Sequence, residues 1–212
     1  VLGNLIPSFS PSRQKMTNAG ESLRGRKPLY MIDGVPQSSP LREGGRDGHI
    51  IDPSVVERIE VLHGANAIHG LGASGGIINL ITKRPSDRFE QRLRIDGTFQ
   101  TEDVDESRDY GIHYSISNRF GNADVLASLG FRDSGIAYDA NGDIIGADNT
   151  QGDTMDSRTY NAFLKTGYNW EEQRFELTFN RYDIKGNNDW ISVPGDVDAG
   201  IPSSAVRGRI EG

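Results

Sequence analysis

Between Phe89 and Tyr182 the sequence alternates apolar and polar residues with a period of two, and it does so in five separate runs. In the first, Phe89, Leu93, Ile95 and Phe99 fall on odd positions while Glu90, Arg92, Arg94, Asp96 and Gln100 fall on even ones. An extended strand built this way has one apolar face and one charged face, whereas a helix would need a repeat near 3.6. The second run sets Tyr110, Ile112, Tyr114, Ile116 and Phe120 against His113, Ser115, Ser117 and Arg119; the third carries Val125, Ala127, Leu129 and Phe131. Tyr160, Ala162, Leu164, Tyr168 and Trp170 make a fourth, and Phe175, Leu177 and Phe179 a fifth that loses its parity near Tyr182.

The connections narrow the architecture. Gly121-Asn122-Ala123-Asp124 and Glu171-Glu172-Gln173 are tight turns, while Thr101 to Asp109, Arg132 to about Arg158, and Lys185 onward are long. Strict alternation of short and long links is what an outer-membrane β-barrel shows, with short periplasmic turns and long external loops. Phe99, Tyr110, Phe120, Tyr168 and Trp170 sit at strand ends, where an interfacial girdle would place them. A soluble antiparallel domain with one buried face gives the same period but no reason for the loop asymmetry. In the barrel reading Leu93, Ile95, Ile112, Tyr114, Ala127, Leu129, Ala162, Leu164 and Leu177 face lipid, and the charged faces point inward.

Composition removes other classes. The net charge is -7, with no basic cluster, which argues against a nucleic-acid partner. Without cysteine there is no disulfide, thiolate metal site or cysteine nucleophile. No apolar run approaches the roughly 20 residues of a spanning helix, which leaves membrane strands open. The start, Val1-Leu2-Gly3, has neither an initiator Met nor a signal pattern, and Arg209-Ile210-Glu211-Gly212 ends in a polar stretch, so both ends read as those of an excerpt.

Through residue 84 the rhythm is that of a compact mixed domain. Leu29-Tyr30-Met31-Ile32 is a short buried strand, broken by Asp33-Gly34 and Pro36. Asp52-Pro53 reads as an N-cap followed by proline at the first helical position, with a short helix over Ser54 to Glu57. Arg58 to Leu62 alternates, Ala65 to Ile68 can make one helical turn, and Ile77 to Thr82, rich in β-branched residues, is the strongest strand of this half. Pro85 ends it.

Several patterns imitate chemistry. Gly70-Leu71-Gly72-Ala73-Ser74-Gly75 fits the dinucleotide fingerprint G-x-G-x-x-G, and Gly72-Ala73-Ser74-Gly75-Gly76 fits the nucleophile elbow of a serine hydrolase. Both need a strand before and a helix after, and here a turn precedes and a strand follows. A glycine turn that lets backbones pack closely is the plainer reading. Asp139-Ala140-Asn141-Gly142-Asp143 opens like a calcium loop, but the sixth position is Ile144 and the twelfth Thr150. His63 and His69, six apart across glycine, are no zinc pair. No catalytic residue, metal ligand or cofactor is therefore assigned.

Arg24-Gly25, Leu29 to Pro36, Ile51-Asp52-Pro53 through His63-Gly64, and Gly70 through Pro85, in that order over some sixty residues, resemble the plug domain of TonB-dependent outer-membrane receptors, most of all the branch that imports ferric siderophores. The fold so implied is an α+β plug domain over residues 1–85, its beginning missing, followed over 86–212 by the first five antiparallel transmembrane strands of an incomplete 22-stranded β-barrel. The resemblance further implies residence in the cell outer membrane against its lipid. It implies a ferric siderophore as ligand, and energy supplied by the TonB inner-membrane complex. The family locks plug to barrel with two plug arginines. Arg24 matches the first, and His63 stands at the second, where a neutral imidazole supplies hydrogen bonding but little charge. The polar stretch Gln37 to His49 resembles the plug apex, so Arg42 and Arg46, with Leu41 as an apolar neighbour, are the candidate contacts to an anionic chelate. Rival readings are a passive porin or adhesive β-domain, and a serine hydrolase using Ser74.

Overall fold

In the computed structural model of the chain, residues 3, 6–11, 16–18, 20–37, 49–64, 73–101, 103–142, 156–187, 190–193 and 205–209 are described. The N-terminal part holds two small sheets. One pairs β1 (Phe9–Ser10) with β2 (Ser22–Leu23). The other is built from β3 (Leu29–Ile32), β4 (Val35–Pro36), β5 (Val56–His63) and β6 (Gly76–Thr82) in the order β4-β3-β6-β5, with β3 and β6 parallel. β3 and β6 are buried along most of their length, as a central pair rich in branched aliphatics should be. The β3–β4 hairpin turns on Asp33 and Gly34, both at positive φ, the conformation that matches a two-residue turn to the twist of its strands. Arg24 and Gly25 make a second turn of this kind, closed by paired hydrogen bonds between Leu23 and Arg26.

The expected helix after Asp52 is a single 3-10 turn, Pro53–Val55, and not a helix to Glu57. Asp52 caps it as read, its Oδ1 accepting from the Ser54 amide at 2.6 Å. The chain then leaves for β5 at Val56, because pairing with β6 satisfies more backbone groups than a second helical turn could. The turn expected over Ala65 to Ile68 lies outside the described residues.

The second part is one antiparallel meander of five strands, β7 (Glu90–Thr98), β8 (Asp109–Phe120), β9 (Ala123–Ser134), β10 (Ser157–Trp170) and β11 (Gln173–Gly186), each paired with its sequence neighbours. The tight turns are the two-residue connections Gly121-Asn122 and Glu171-Glu172. The first long link contains a helical turn, α1 (Val104–Ser107), capped by Asp103. It packs on the start of the second link through Gly135 and Ile136, whose amides donate to the Arg108 and Glu106 carbonyls. The fifth strand runs beyond Tyr182 to Gly186, and the polar stretch after it pairs β12 (Trp190–Val193) with β13 (Ala205–Arg209), which the sequence pattern did not signal.

The two faces of the meander separate as the alternation requires. Leu93, Ile95, Ile112, Tyr114, Leu129, Leu164 and Leu177 are exposed on the outer face; Leu129 is 63% exposed. The opposite parity, with His113, Ser117, Leu126, Ser128, Asn161, Phe163 and Lys165, is buried against the N-terminal sheet. Leu126 and Phe163 complete the same apolar core as Leu23, Tyr30, Ile51, Val55, Ile78 and Leu80. On the outer face Tyr110, Phe131 and Tyr160 form a row of tilted rings at centroid distances of 6.0 and 5.1 Å. Beyond them the outer positions turn charged at Asp133, Arg158, Arg181 and Asp183. That reversal is the loss of parity read near Tyr182, since a strand that rises past an apolar band has no reason to stay apolar outside.

Candidate functional site

The N-terminal sheet is seated on the inner face of the meander at two carboxylates. In register, His113 of β8, Gly130 of β9 and Asn161 of β10 form one row across the wall. A Cβ on Gly130 would lie 2.3 Å from Asn161 Nδ2 and 2.6 Å from His113 Nδ1, so only glycine lets these two side chains approach over the middle strand. Into that notch points Asp52. Its Oδ2 accepts from Asn161 Nδ2 and lies 3.2 Å from His113 Nδ1, while Oδ1 keeps the cap on Ser54. One buried carboxylate thus holds the local turn and docks it on the wall.

Asp33 is the second anchor. Its Oδ1 accepts from the Thr82 amide at 2.8 Å, and its Oδ2 from the Thr82 hydroxyl at 2.6 Å and from Lys165 Nζ at 3.1 Å. Lys165, buried in β10, also lies 3.3 Å from Glu176 of β11, so its ammonium is shared between the N-terminal sheet and the wall. Burial pushes the Asp33 carboxyl up, but the Thr82 hydrogen bonds and the Lys165 ammonium outweigh it and hold the group below the ordinary carboxylate value. Asn180 Nδ2 donates to the Ile50 carbonyl at 2.7 Å, and the Ser86 amide to Ser117 Oγ at 2.6 Å. The asparagine and lysine of β10 could be read from sequence only as inward-facing polar residues; their partners lie more than a hundred positions away.

Within the wall, glycine again makes room for charge. Arg132 crosses Gly111 to reach Asp96 and also pairs with Asp109. Arg174 lies over Gly167 and holds the fully buried Asp124 at 2.8 Å.

Of the residues singled out in the sequence, Leu41, Arg42 and Arg46 lie outside the described residues. Arg24 and His63 are both exposed, Arg24 in its positive-φ turn and His63 at the end of β5 opposite Gly76. Among the described residues neither is paired with a carboxylate. Ser74 is exposed and the segment after it is β6, so the elbow lacks its helix. Gly75 and Gly76 serve close packing: a Cβ would come within 2.5 Å of the Arg26 carbonyl oxygen at the first and 2.4 Å of the Leu62 carbonyl oxygen at the second. Asp139 caps its own turn, its Oδ1 accepting from the Asn141 amide at 2.8 Å.

Residues 1–77 match the family TonB-dependent Receptor Plug Domain. Over 199 residues the chain is 34% identical to the rhizobactin receptor of Rhizobium meliloti (strain 1021), covering 90% of this chain and 26% of that protein. It is 30% identical over 209 residues to the ferric aerobactin receptor of Klebsiella pneumoniae, covering 98% and 28%. The chain therefore spans about a quarter of the length of these relatives. Among solved structures, it is similar in fold to the ferric enterobactin receptor PfeA in complex with BCV-L6, with TM-score 0.64 at 18% identity over 96% of this chain and 34% of that one. It is likewise similar to the siderophore receptor PirA from Acinetobacter baumannii, with TM-score 0.61 at 18% identity over 87% and 29%.

Proposed function

The chain carries the plug domain of a TonB-dependent receptor, and from that premise we propose that it is the plug and first wall strands of an outer-membrane protein that binds and imports a ferric siderophore, energised by an inner-membrane TonB complex. The observation that carries the reading is the seating of the N-terminal sheet on a wall whose inner face is polar and whose outer face is apolar. Asp52 sits in the His113–Gly130–Asn161 notch, while Leu93, Ile95, Leu129 and Leu177 stand exposed behind it. A barrel in lipid with a plug in its lumen needs that division of faces.

The alternatives fit less well. A passive porin needs an open lumen, and here Leu126 and Phe163 of the wall are part of the plug's own core. A hydrolase at Ser74 needs an oriented base and a strand-to-helix turn, and the serine stands exposed before a strand. As for the ligand, the links between strands at 99–108 and 135–156 together carry nine carboxylates against the single Arg108, which opposes an anionic chelate. Its counter-charge is then supplied by the plug, where Arg42 and Arg46, beside Leu41, remain the proposed contacts, and Arg24 and His63 the proposed lock positions. The test is growth of an iron-starved, receptor-deleted Gram-negative strain complemented with the full-length gene and fed a panel of ferric chelates. Growth on at least one chelate that the empty strain cannot use is expected; growth on none contradicts the reading.

A further inference from the structure

Beside the Asp52 notch, between the plug and the wall, lies a cavity of about 270 Å³. The 3-10 turn and the end of β6 supply Ser54 and Lys83 from the plug side, and β7 and β8 supply Arg92, Arg94 and His113 from the wall. The alternation that turns Leu93 and Ile95 outward turns Arg92 and Arg94 inward, opposite Ser115 and His113. Three cations thus line one small space, and among the described residues no carboxylate lines it. Asp52 is near, but its oxygens accept from the Ser54 amide and Asn161, with His113 Nδ1 3.2 Å away. Arg94 spends part of its charge on Asp96 at 2.9 Å, and Lys83 Nζ donates to the Ser54 carbonyl at 2.5 Å. Arg92 has no carboxylate partner among the described residues, and Ser54 Oγ is buried without a hydrogen-bond partner.

Arg92 and Arg94 are exposed, the Arg94 side chain by 62%, yet like charges gathered about one space repel one another unless a counter-charge enters. The repulsion is visible at Lys83, whose pKa is lowered first by burial and then by the Arg92 and Arg94 guanidiniums, against the pull of Asp52. The space is below the roughly 300 to 1,000 Å³ of drug-sized ligand pockets, yet it admits a carboxylate or a tetrahedral oxyanion. A guanidinium, an ammonium and an unpartnered hydroxyl lining one space are the donor set such a group requires.

We propose that this cavity holds an oxyanionic group between Lys83 and Arg92, pinning the plug to the first strand of the wall. Two sources can supply it. One is a free anion such as phosphate. The other is a carboxylate side chain from the rest of the receptor, since among the described residues β7 pairs only with β8, and the chain covers about a quarter of its relatives.

The test uses the full-length receptor in detergent micelles, its thermal midpoint followed by the heat-dependent change in electrophoretic mobility. Inorganic phosphate is titrated against chloride at equal ionic strength, on wild type and on Arg92→Lys, Arg92→Gln, Arg92→Glu and Lys83→Gln. If the source is a free anion, phosphate raises the wild-type midpoint by several degrees, and Arg92→Gln and Lys83→Gln lose that rise while Arg92→Lys keeps part of it. If the source is a receptor carboxylate, phosphate changes nothing, Arg92→Gln lowers the midpoint, Arg92→Glu lowers it further by setting two carboxylates face to face, and Arg92→Lys restores most of it. A wild type indifferent to phosphate, with Arg92→Gln and Arg92→Glu indistinguishable from each other, overturns the proposal. The phosphate titration on the unmodified protein needs no variant to fold, and the readout is independent of which chelate is carried.

Discussion

Asp52 of the plug turn and His113 of the second wall strand lie 3.2 Å apart, both buried, over a glycine that no larger residue could replace without moving them. The same carboxylate that starts a local turn therefore fixes where the whole N-terminal sheet sits. In Asp52→Ala the Ser54 amide loses its cap and Asn161 loses its acceptor, at a cost of about 2 to 4 kcal/mol for the cap and the buried polar groups together. Gly130→Ala disrupts the notch from the other side. Both variants should release the plug to limited proteolysis in the full-length receptor while the wall resists. Equal protection of plug and wall in both variants would show that the notch does not hold the plug.

Asp33, held by the Thr82 hydrogen bonds and then by Lys165, makes a pH-dependent contribution whose sign follows from the depressed carboxyl. The folded group titrates below the unfolded one, whose ordinary value is 3.8, so its stabilisation is complete above that pH and declines as the pH falls through the folded value. Asp33→Asn lacks the contribution at every pH. The stability gap between wild type and Asp33→Asn, measured by denaturant titration, should be constant above about pH 5 and close in acid. A gap that does not narrow as the pH falls below the ordinary carboxylate value would remove Asp33 as its source.

Much of this arrangement was readable in the residues, and the rest was not, for physical reasons. Period-two runs place every side chain of β7 to β10 on a known face, so the outer positions of Leu93 or Leu129 followed from parity alone. The cap at Asp52 followed from Asp-Pro. That Asp52 also grips Asn161, 109 residues away, could not be read, because a cap residue needs only its own turn to explain it. Leu126 and Phe163 interrupt the polar parity of β9 and β10, and that irregularity was the available sign that something apolar packs inside. The helix expected to Glu57 failed because local capping says where a turn starts, while pairing of Val56 with β6 decides where it stops.

The glycine turn before β6 separates structure from chemistry in a pair of variants. Gly76 has φ of +119° and its Cβ would meet a backbone oxygen, so Gly76→Ala should cost at least about 1 to 3 kcal/mol and lower the yield of folded receptor. Ser74 is exposed, and Ser74→Ala should leave folding and iron uptake unchanged. Loss of function in Ser74→Ala at normal receptor levels would revive the hydrolase reading.

The orientation of the wall can be read with nitroxide labels in the full-length receptor reconstituted in lipid. Labels at Ile95 and Ile112, exposed on the outer face, should collide freely with dissolved oxygen and poorly with a polar nickel chelate, while a label at Ser128, buried inside, should be sheltered from oxygen. Tight packing at Ile95 and Ile112 would mean that the outer face is covered by protein.

Energised import is checked by the uptake of radiolabelled iron. Cells lacking their own ferric-siderophore receptors, expressing the full-length protein, are given the ⁵⁵Fe chelate that supports their growth, with and without a protonophore. Chelate should be bound at the surface in both cases and accumulate inside only when the proton gradient is intact. Accumulation that continues undiminished after the gradient is dissipated would contradict it.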